Sequence, residues 1–303
     1  MATSILLTGA SGLVGTRLTA LLTQKGYHVS HLGRSKKSGK VPSYVWDVTK
    51  GELDPKALEG VDTIIHLAGA GVAEKRWTER RKKEILESRT KSSALLFDAL
   101  SKGTHRVKTV VSASAIGIYG FGLDEKIFTE ESKPGPDYLA KVVVAWEKEV
   151  DRIASLGIRV AKIRIGIVLS EKGGALVEMA GPVKMGIGSP LGSGRQVLSW
   201  IHLDDLCDIF VKAVEDDSMS GPYNAVTPHP VTNRQMTKAI GEVLDRAVWL
   251  PPVPSFVLRV VLGEMTDIVV NGSNISPAKI MKTGFVFRFT QLEEALKDLF
   301  KRS

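Results

Sequence analysis

The stretch that most constrains this chain is its first. Ser4-Ile5-Leu6-Leu7-Thr8 runs into Gly9-Ala10-Ser11-Gly12-Leu13-Val14-Gly15 and leaves as an apolar-periodic segment reaching Lys25. A short apolar run that enters a turn with three glycines spaced three apart, and leaves it as a helix, opens a dinucleotide-binding βαβ unit. Gly9 allows a sharp turn off the strand, Gly12 lets backbone amides near a pyrophosphate with no Cβ in the way, and Gly15 lets the helix pack close. Ser11, Leu13 and Val14 belong to the same cofactor-binding turn, where the helix N-terminus offers unpaired N–H groups and a positive dipole end. A glycine-rich turn with no ligand is the competing reading. Against it stand the helix pattern Leu13, Leu18, Leu21, Leu22 and a second strand, Tyr27 to Leu32, placed where a βαβ unit requires one.

The first half of the chain alternates strand and helix patterns, predicting an α/β fold with a doubly wound parallel sheet covered on both faces. Strands read at 4–8, 28–33, 43–47, 62–67, 107–114 and 158–165, with helices near 12–25, 79–101 and 137–156. From about Glu171 the glycines at 173, 174, 186, 188, 192 and 194, with Pro190, read as a loop excursion. Val197 to Ile201 returns as a strand, followed by a helix from about Asp204, which reads as its N-cap. The last quarter carries helix patterns at 232–244 and 290–301, separated by Pro251-Pro252, Pro254 and an apolar stretch Phe256 to Leu262. These predict a nucleotide-binding domain at 1–170 and 195–225, and a small substrate or C-terminal lobe at 171–194 and 226–303.

With 303 residues the chain is long enough for a full core, and no apolar run reaches membrane-spanning length. The first apolar residues belong to the first strand, so no signal peptide is expected and a cytosolic location is. Cys207 is the only cysteine and reads as a buried structural thiol. The net charge of +8 is spread among acids. The densest run, Lys75 to Lys83, leads into Glu84 and Glu87, and Glu79/Lys83 and Glu87/Lys91 have helix-stabilising order. A solvated helix face accounts for this run, and nucleic-acid binding is not expected. The six histidines lack ligand spacing, so no metal site is expected.

The second strand ends in His31-Leu32-Gly33-Arg34-Ser35, where such a fold reads the adenosine ribose. An acidic residue there would hold the ribose hydroxyls of NAD, whereas Arg34, with Ser35, suits a 2′-phosphate. NADP is the expected cofactor, with Lys36, Lys37 and Lys40 adding positive charge or forming a basic loop without a ligand. Asp47, ending Tyr44-Val45-Trp46-Asp47-Val48, resembles the acidic residue that contacts the adenine edge in short-chain dehydrogenases, or is a strand-end turn residue. Ile64-Ile65-His66-Leu67-Ala68-Gly69-Ala70 is a strand with a small-residue exit, and Leu67, Ala68 and Gly69 would pass close to ribose and pyrophosphate.

The glycine spacing, Thr8-Gly9-Ala10-Ser11-Gly12-Leu13-Val14-Gly15, and the His66-Leu67-Ala68-Gly69 strand exit resemble extended and atypical short-chain dehydrogenase/reductases. Trp77, Arg89, Trp146-Glu147, the loop Gly188 to Gly194 and Ser199 to Leu206 resemble the atypical branch of epimerase family, or sugar-nucleotide epimerase-like, proteins across essentially the whole chain. That resemblance implies a Rossmann fold with a C-terminal segment, and places Glu84, Arg89 and Val168 beside the NADP site. It further implies a tyrosine acid/base, a lysine four residues later that tunes it, and a serine or threonine that orients the substrate oxygen. Ser114, in Val110 to Gly120, resembles the serine, or caps the strand end with Ser112. Tyr138 and Lys141 are one residue short of the family spacing, although i,i+3 leaves them on one side of a helix. Tyr119 is a second phenol candidate, or packs under a loop, and His202 reads as a buttress for the lobe. Helices 79–101 and 137–156 are candidates for a homodimer seam.

The chemistry expected is hydride transfer between NADP and a small-molecule carbonyl or alcohol, or epimerisation of a sugar nucleotide by transient oxidation, with Ser114, Tyr138 and Lys141 as catalytic residues. The alternative is a non-catalytic NADP(H)-binding protein in which the nucleotide sets the lobe and the lobe binds a partner.

Overall fold

The computed structural model describes residues 3–36, 38–121 and 126–301; Lys37 lies outside them. Eight strands, β1 (Ser4–Thr8), β2 (His28–Gly33), β3 (Ser43–Asp47), β4 (Glu52–Leu53), β5 (Thr63–His66), β6 (Thr109–Ala115), β7 (Arg159–Ile165) and β8 (Gly221–Ala225), form one sheet. Their order is β8-β7-β6-β5-β1-β2-β3-β4, parallel except where β4 runs antiparallel to β3. The chain moves outward from β1 in one direction and from β5 in the other, so right-handed crossovers put helices on both faces. The strand order reverses between β1 and β5, and the crevice beyond their carboxyl ends is where open sheets of this kind bind ligands.

The layers are α1 (Leu13–Gln24), α2 (Glu79–Lys102), α3 (Tyr138–Asp151), α4 (Ala175–Lys184) and α5 (Leu203–Glu215), with α2 packed on α3 and α1 on α5. β1 and β5 contribute Ile5, Leu6, Leu7, Ile64 and Ile65, all fully buried, as expected where both faces of a parallel sheet are covered. The remaining helices are α6 (Asn233–Val243), α7 (Ser255–Leu262), α8 (Thr266–Val270), α9 (Ala278–Lys282) and α10 (Leu292–Lys301). A second apolar core, around Trp200, joins Leu176, Ala180 and Val183 of α4 to Met236 and Ile240 of α6 and Leu292, Leu296 and Leu299 of α10.

Among the departures from the sequence expectation are a helix, an edge strand, and the split of the expected strand Val197 to Ile201 into Val197–Leu198 and Trp200–His202 outside the main sheet. The glycine-rich excursion after Glu171 contains α4, because Leu176, Ala180 and Val183 make a buried i, i+4, i+7 stripe. Pro182 lies inside α4 and removes the N–H that would donate to the Glu178 carbonyl, a loss that the buried stripe outweighs. Gly221–Ala225, with its Gly-Pro start, forms β8. It is the edge strand, pairing only with β7, and so tolerates Pro222.

At the start of α5 the N-cap is His202 rather than Asp204. The imidazole Nδ1 accepts the Asp204 N–H at 3.0 Å, while the Asp204 carboxylate binds Arg17 at 2.6 Å. His202 is fully buried and stacked on Phe289, consistent with a buttress. Cys207 is buried and its thiol is pushed up to about 12 by burial. On α2 Glu79 pairs with Lys82 rather than with the expected Lys83, Lys83 and Lys91 both pair with Glu87, and Arg81 pairs with Glu84. No helix among the described residues is long and apolar enough to cross a membrane.

Candidate functional site

The first loop is shaped by contacts that leave no room for side chains at two of its glycines. Gly9 has φ +68°, and a Cβ there would lie 2.8 Å from the Leu67 carbonyl carbon; at Gly15 a Cβ would lie 2.3 Å from the Gly9 oxygen. Both positions are closed by the protein's own backbone. Gly12 differs, since the nearest atom to its Cβ position is 3.4 Å away. It is exposed and is the N-cap of α1, with no side chain capping the helix and no acid in the first turn. By contrast α2, α3, α5 and α6 are each capped by a side chain, from Thr78, Asp137, His202 and Thr232. The amides of Leu13 and Val14 therefore meet an open cradle of helix-dipole positive potential. A cavity of about 600 Å³ opens there, bordered by Ser11, Gly12, Leu13, Arg17, Lys172 and Asp204.

The exit of β5 packs against the first loop at Gly9 and lies outside the lining of that cavity. Leu67 and Ala68 donate their N–H groups to the Thr8 hydroxyl at 3.0 and 3.2 Å, and the Ala70 N–H goes to Ser88 on α2. Against Gly69 lies Arg89, whose guanidinium carbon would be 3.1 Å from a Cβ at that glycine. Arg89 stacks 5.2 Å from the Trp146 ring and donates to the Ile85 carbonyl, and no carboxylate pairs with it among the described residues. Burial pulls it down to about 10. A guanidinium withdrawn from water without an acid is costly, and an anionic ligand would relieve that cost.

Arg34 and Ser35 are exposed at the end of β2, with no acid standing there. Asp47 ends β3, but its Oδ1 accepts from the Thr49 N–H, the Thr49 hydroxyl and the Lys50 N–H; the Thr49 hydroxyl above all holds its carboxyl below the usual range. The turn-residue reading describes that geometry. Glu84 is half exposed and salt-bridged to Arg81 at 2.8 Å. Val168 sits in Ile167–Leu169, paired in parallel with Trp200–His202.

The three expected catalytic side chains have their polar ends in three different places. Ser114 is buried and donates to Glu147 at 2.6 Å. Tyr138 donates to the Lys82 carbonyl at 2.7 Å and packs edge-on against Trp77. Lys141 is exposed. Tyr119 donates to the Asn224 side-chain oxygen at 2.6 Å, and burial pushes it up to about 12.

Ser114 belongs to a buried network that sequence reasoning missed. Arg164 on β7 binds both Glu147 oxygens, at 2.8 and 2.9 Å, and donates to the Tyr119 hydroxyl at 2.8 Å. Lys162 lies 3.4 Å from Glu147 and 2.7 Å from Asp151. Burial alone would raise Glu147, yet Arg164, Lys162 and the Ser114 hydroxyl together hold it below the usual carboxylate range. The signal was available: Lys162 and Arg164 alternate within the otherwise apolar Val160 to Ile165. Two cations on one face of an interior parallel strand demand a buried acid.

The pattern of the NAD dependent epimerase/dehydratase family matches residues 5–226, and a domain of unknown function, DUF1731, matches residues 253–299. The epimerase family protein YfhF of Bacillus subtilis is 40% identical over 299 residues, 98% of this chain and 97% of that one. The crystal structure of human epimerase family protein SDR39U1 (isoform 2) with NADPH superposes with a TM-score of 0.88 at 30% identity, covering 99% of this chain and 100% of that one. A nucleoside-diphosphate sugar epimerase from Corynebacterium glutamicum gives 0.81 at 31% identity, covering 100% of this chain and 59% of that one.

Proposed function

The chain belongs to the NAD dependent epimerase/dehydratase family, and from that premise we propose that it binds NADPH at the β1/β5 crevice and uses the nucleotide to set the C-terminal lobe. The observation that carries this reading is a contrast of commitments. Ser114, Tyr138 and Lys141 do not converge on one point, while among the described residues no carboxylate pairs with Arg89, and Gly12 leaves an uncapped cradle. The residues present fit the cofactor: the amides around Gly12, Leu13 and Val14 for a pyrophosphate, Arg34 and Ser35 for a 2′-phosphate, and Arg89 for a further anionic group. The human relative crystallised with NADPH supports the choice of nucleotide.

The lobe is within reach of such a signal. Lys82, in the first turns of α2, is salt-bridged to Glu264, and Met265 packs with Trp77 and Ile85. Nucleotide held against α2 would therefore act on an element that also grips the segment after α7.

A second reading, an NADP-dependent oxidoreductase or epimerase-like enzyme acting on a carbonyl, alcohol or sugar nucleotide, is favoured by one observation. Tyr138 opens α3 close enough to Arg89 for the guanidinium to influence its phenol. Bound NADPH would supply a hydride, and Tyr138 or a substituting group of this chain would deliver the proton. Deuteride transfer from 4-deuterated NADPH into a metabolite pool, with NADPH binding measured on the same sample, separates the readings. Binding without label transfer is expected, and a labelled product overturns the sensor reading.

A further inference from the structure

The walls of the nucleotide crevice are joined behind the binding surface by a buried chain of hydrogen bonds centred on His66. His66 is fully buried at the end of β5, directly across from Thr8 in the parallel register of β1. Its Nδ1 lies 2.8 Å from the Thr8 hydroxyl, and its Nε2 lies 3.2 and 3.3 Å from the hydroxyls of Ser92 and Ser93 on α2. Trp46 closes the pocket edge-on to the ring.

The direction of every bond follows from counting lone pairs. The Thr8 oxygen already accepts the N–H groups of Leu67 and Ala68, so its own proton must go to Nδ1. Ser92 and Ser93 both donate to the Arg89 carbonyl, at 3.1 and 2.8 Å, so their oxygens are left to accept. Nε2 must then carry the ring proton. Burial, which draws the imidazole down to about 4, keeps the ring neutral and so restricts it to that one tautomer.

We propose that His66, locked as the neutral Nε2–H tautomer, is a positioning residue of the nucleotide site. One end of its ring fixes, through Thr8, the Leu67 and Ala68 peptides beside Gly9. The other end fixes, through the two serines, the turn of α2 that carries Arg89. The assignment rests on the nucleotide-binding reading above and adds to it a residue that touches no nucleotide. A reversed ring would face the Thr8 proton with its own N–H and leave the serines without a donor. The two walls would then lose their common reference.

The test uses the full-length protein. Nitrogen-15 spectra of labelled histidine read the tautomer directly, and NADPH titrations read its effect on Thr8→Val, Thr8→Ser and His66→Gln. Expected are an Nε2–H signature for His66 between pH 5 and 8, NADPH affinity about tenfold weaker in T8V and H66Q, and recovery of most of it in T8S. An Nδ1–H signature in the unaltered protein overturns the assignment even if no variant folds. So does folded T8V or H66Q with unaltered affinity. Failure of the unaltered protein to bind NADPH overturns the nucleotide reading itself, and this assignment with it.

Discussion

Replacing Arg89 with methionine should make the nucleotide-free protein more stable and the nucleotide-bound protein less so. A guanidinium drawn down from its ordinary value to about 10 by burial represents up to roughly 3 kcal/mol of cost to the fold, an upper figure because the residue is only partly buried. Against that gain stand the stacking on Trp146, about 1 kcal/mol, and the hydrogen bond to the Ile85 carbonyl, about 1 kcal/mol. Methionine keeps much of the packing. The net expectation is a gain of about 1 kcal/mol, which in a chain of this size raises the melting temperature by about 2 °C. The ligand side moves the opposite way. Loss of a charge-assisted hydrogen bond of roughly 2 kcal/mol weakens NADPH about 30-fold. At a concentration of about 100 times the wild-type Kd, ligand stabilisation then falls from about 2.7 to about 0.9 kcal/mol. Differential scanning fluorimetry with and without NADPH reads both quantities in one plate. An R89M protein that is less stable without nucleotide yet keeps the full NADPH shift would refute the argument that Arg89 is held in wait for an anion.

The remaining predictions concern other parts of the same frame. Gly15→Ala should destabilise the nucleotide-free protein by roughly 2–3 kcal/mol, because its Cβ meets backbone of Gly9 and Ala10, whereas Gly12→Ala should melt normally and lose at least tenfold in NADPH affinity; thermal melts and titrations of the pair check both. Arg34→Ala should weaken NADPH at least tenfold and NADH little, and equal losses in parallel titrations would remove the 2′-phosphate assignment. Glu147→Gln should cost about 3–5 kcal/mol in urea denaturation near neutral pH, since it strands Arg164. Because the Glu147 pKa is lowered on folding, its stabilisation is complete above the ordinary value of 4.5 and is lost as pH falls through the lowered one, so the variant should show a shallower acid limb.

The sheet was legible because its strands are short apolar runs bounded by turn residues, and because the Gly9 to Gly15 spacing admits few alternatives. The element ends followed to within a residue or two wherever caps were strong, as at Thr78 and Asp137. α4 was obscured because glycine and proline mark turns on average, yet a buried stripe of three apolar residues outweighs them at a helix end. β8 was obscured for a related reason, since an edge strand tolerates a proline that an interior one does not. At the candidate site the glycines could be read because each has a backbone reason. The side chains could not be read from Ser114 alone, since its partner, Glu147, lies on α3, thirty-three residues further on. A serine at a strand end is ambiguous until its partner is known.

The bond between Ser114 and Glu147 also bears on how this scaffold could be changed. Freeing the serine for chemistry requires moving Glu147, and moving Glu147 leaves Arg164 a buried cation with, among the described residues, Tyr119 and the Glu130 carbonyl to hold it. Neither change is tolerable first. Selection one substitution at a time would stall at this point, whereas a library varying positions 147 and 164 together would cross it. The partner of this serine is therefore held in place by the order in which its neighbours could change rather than by the chemistry of the serine itself.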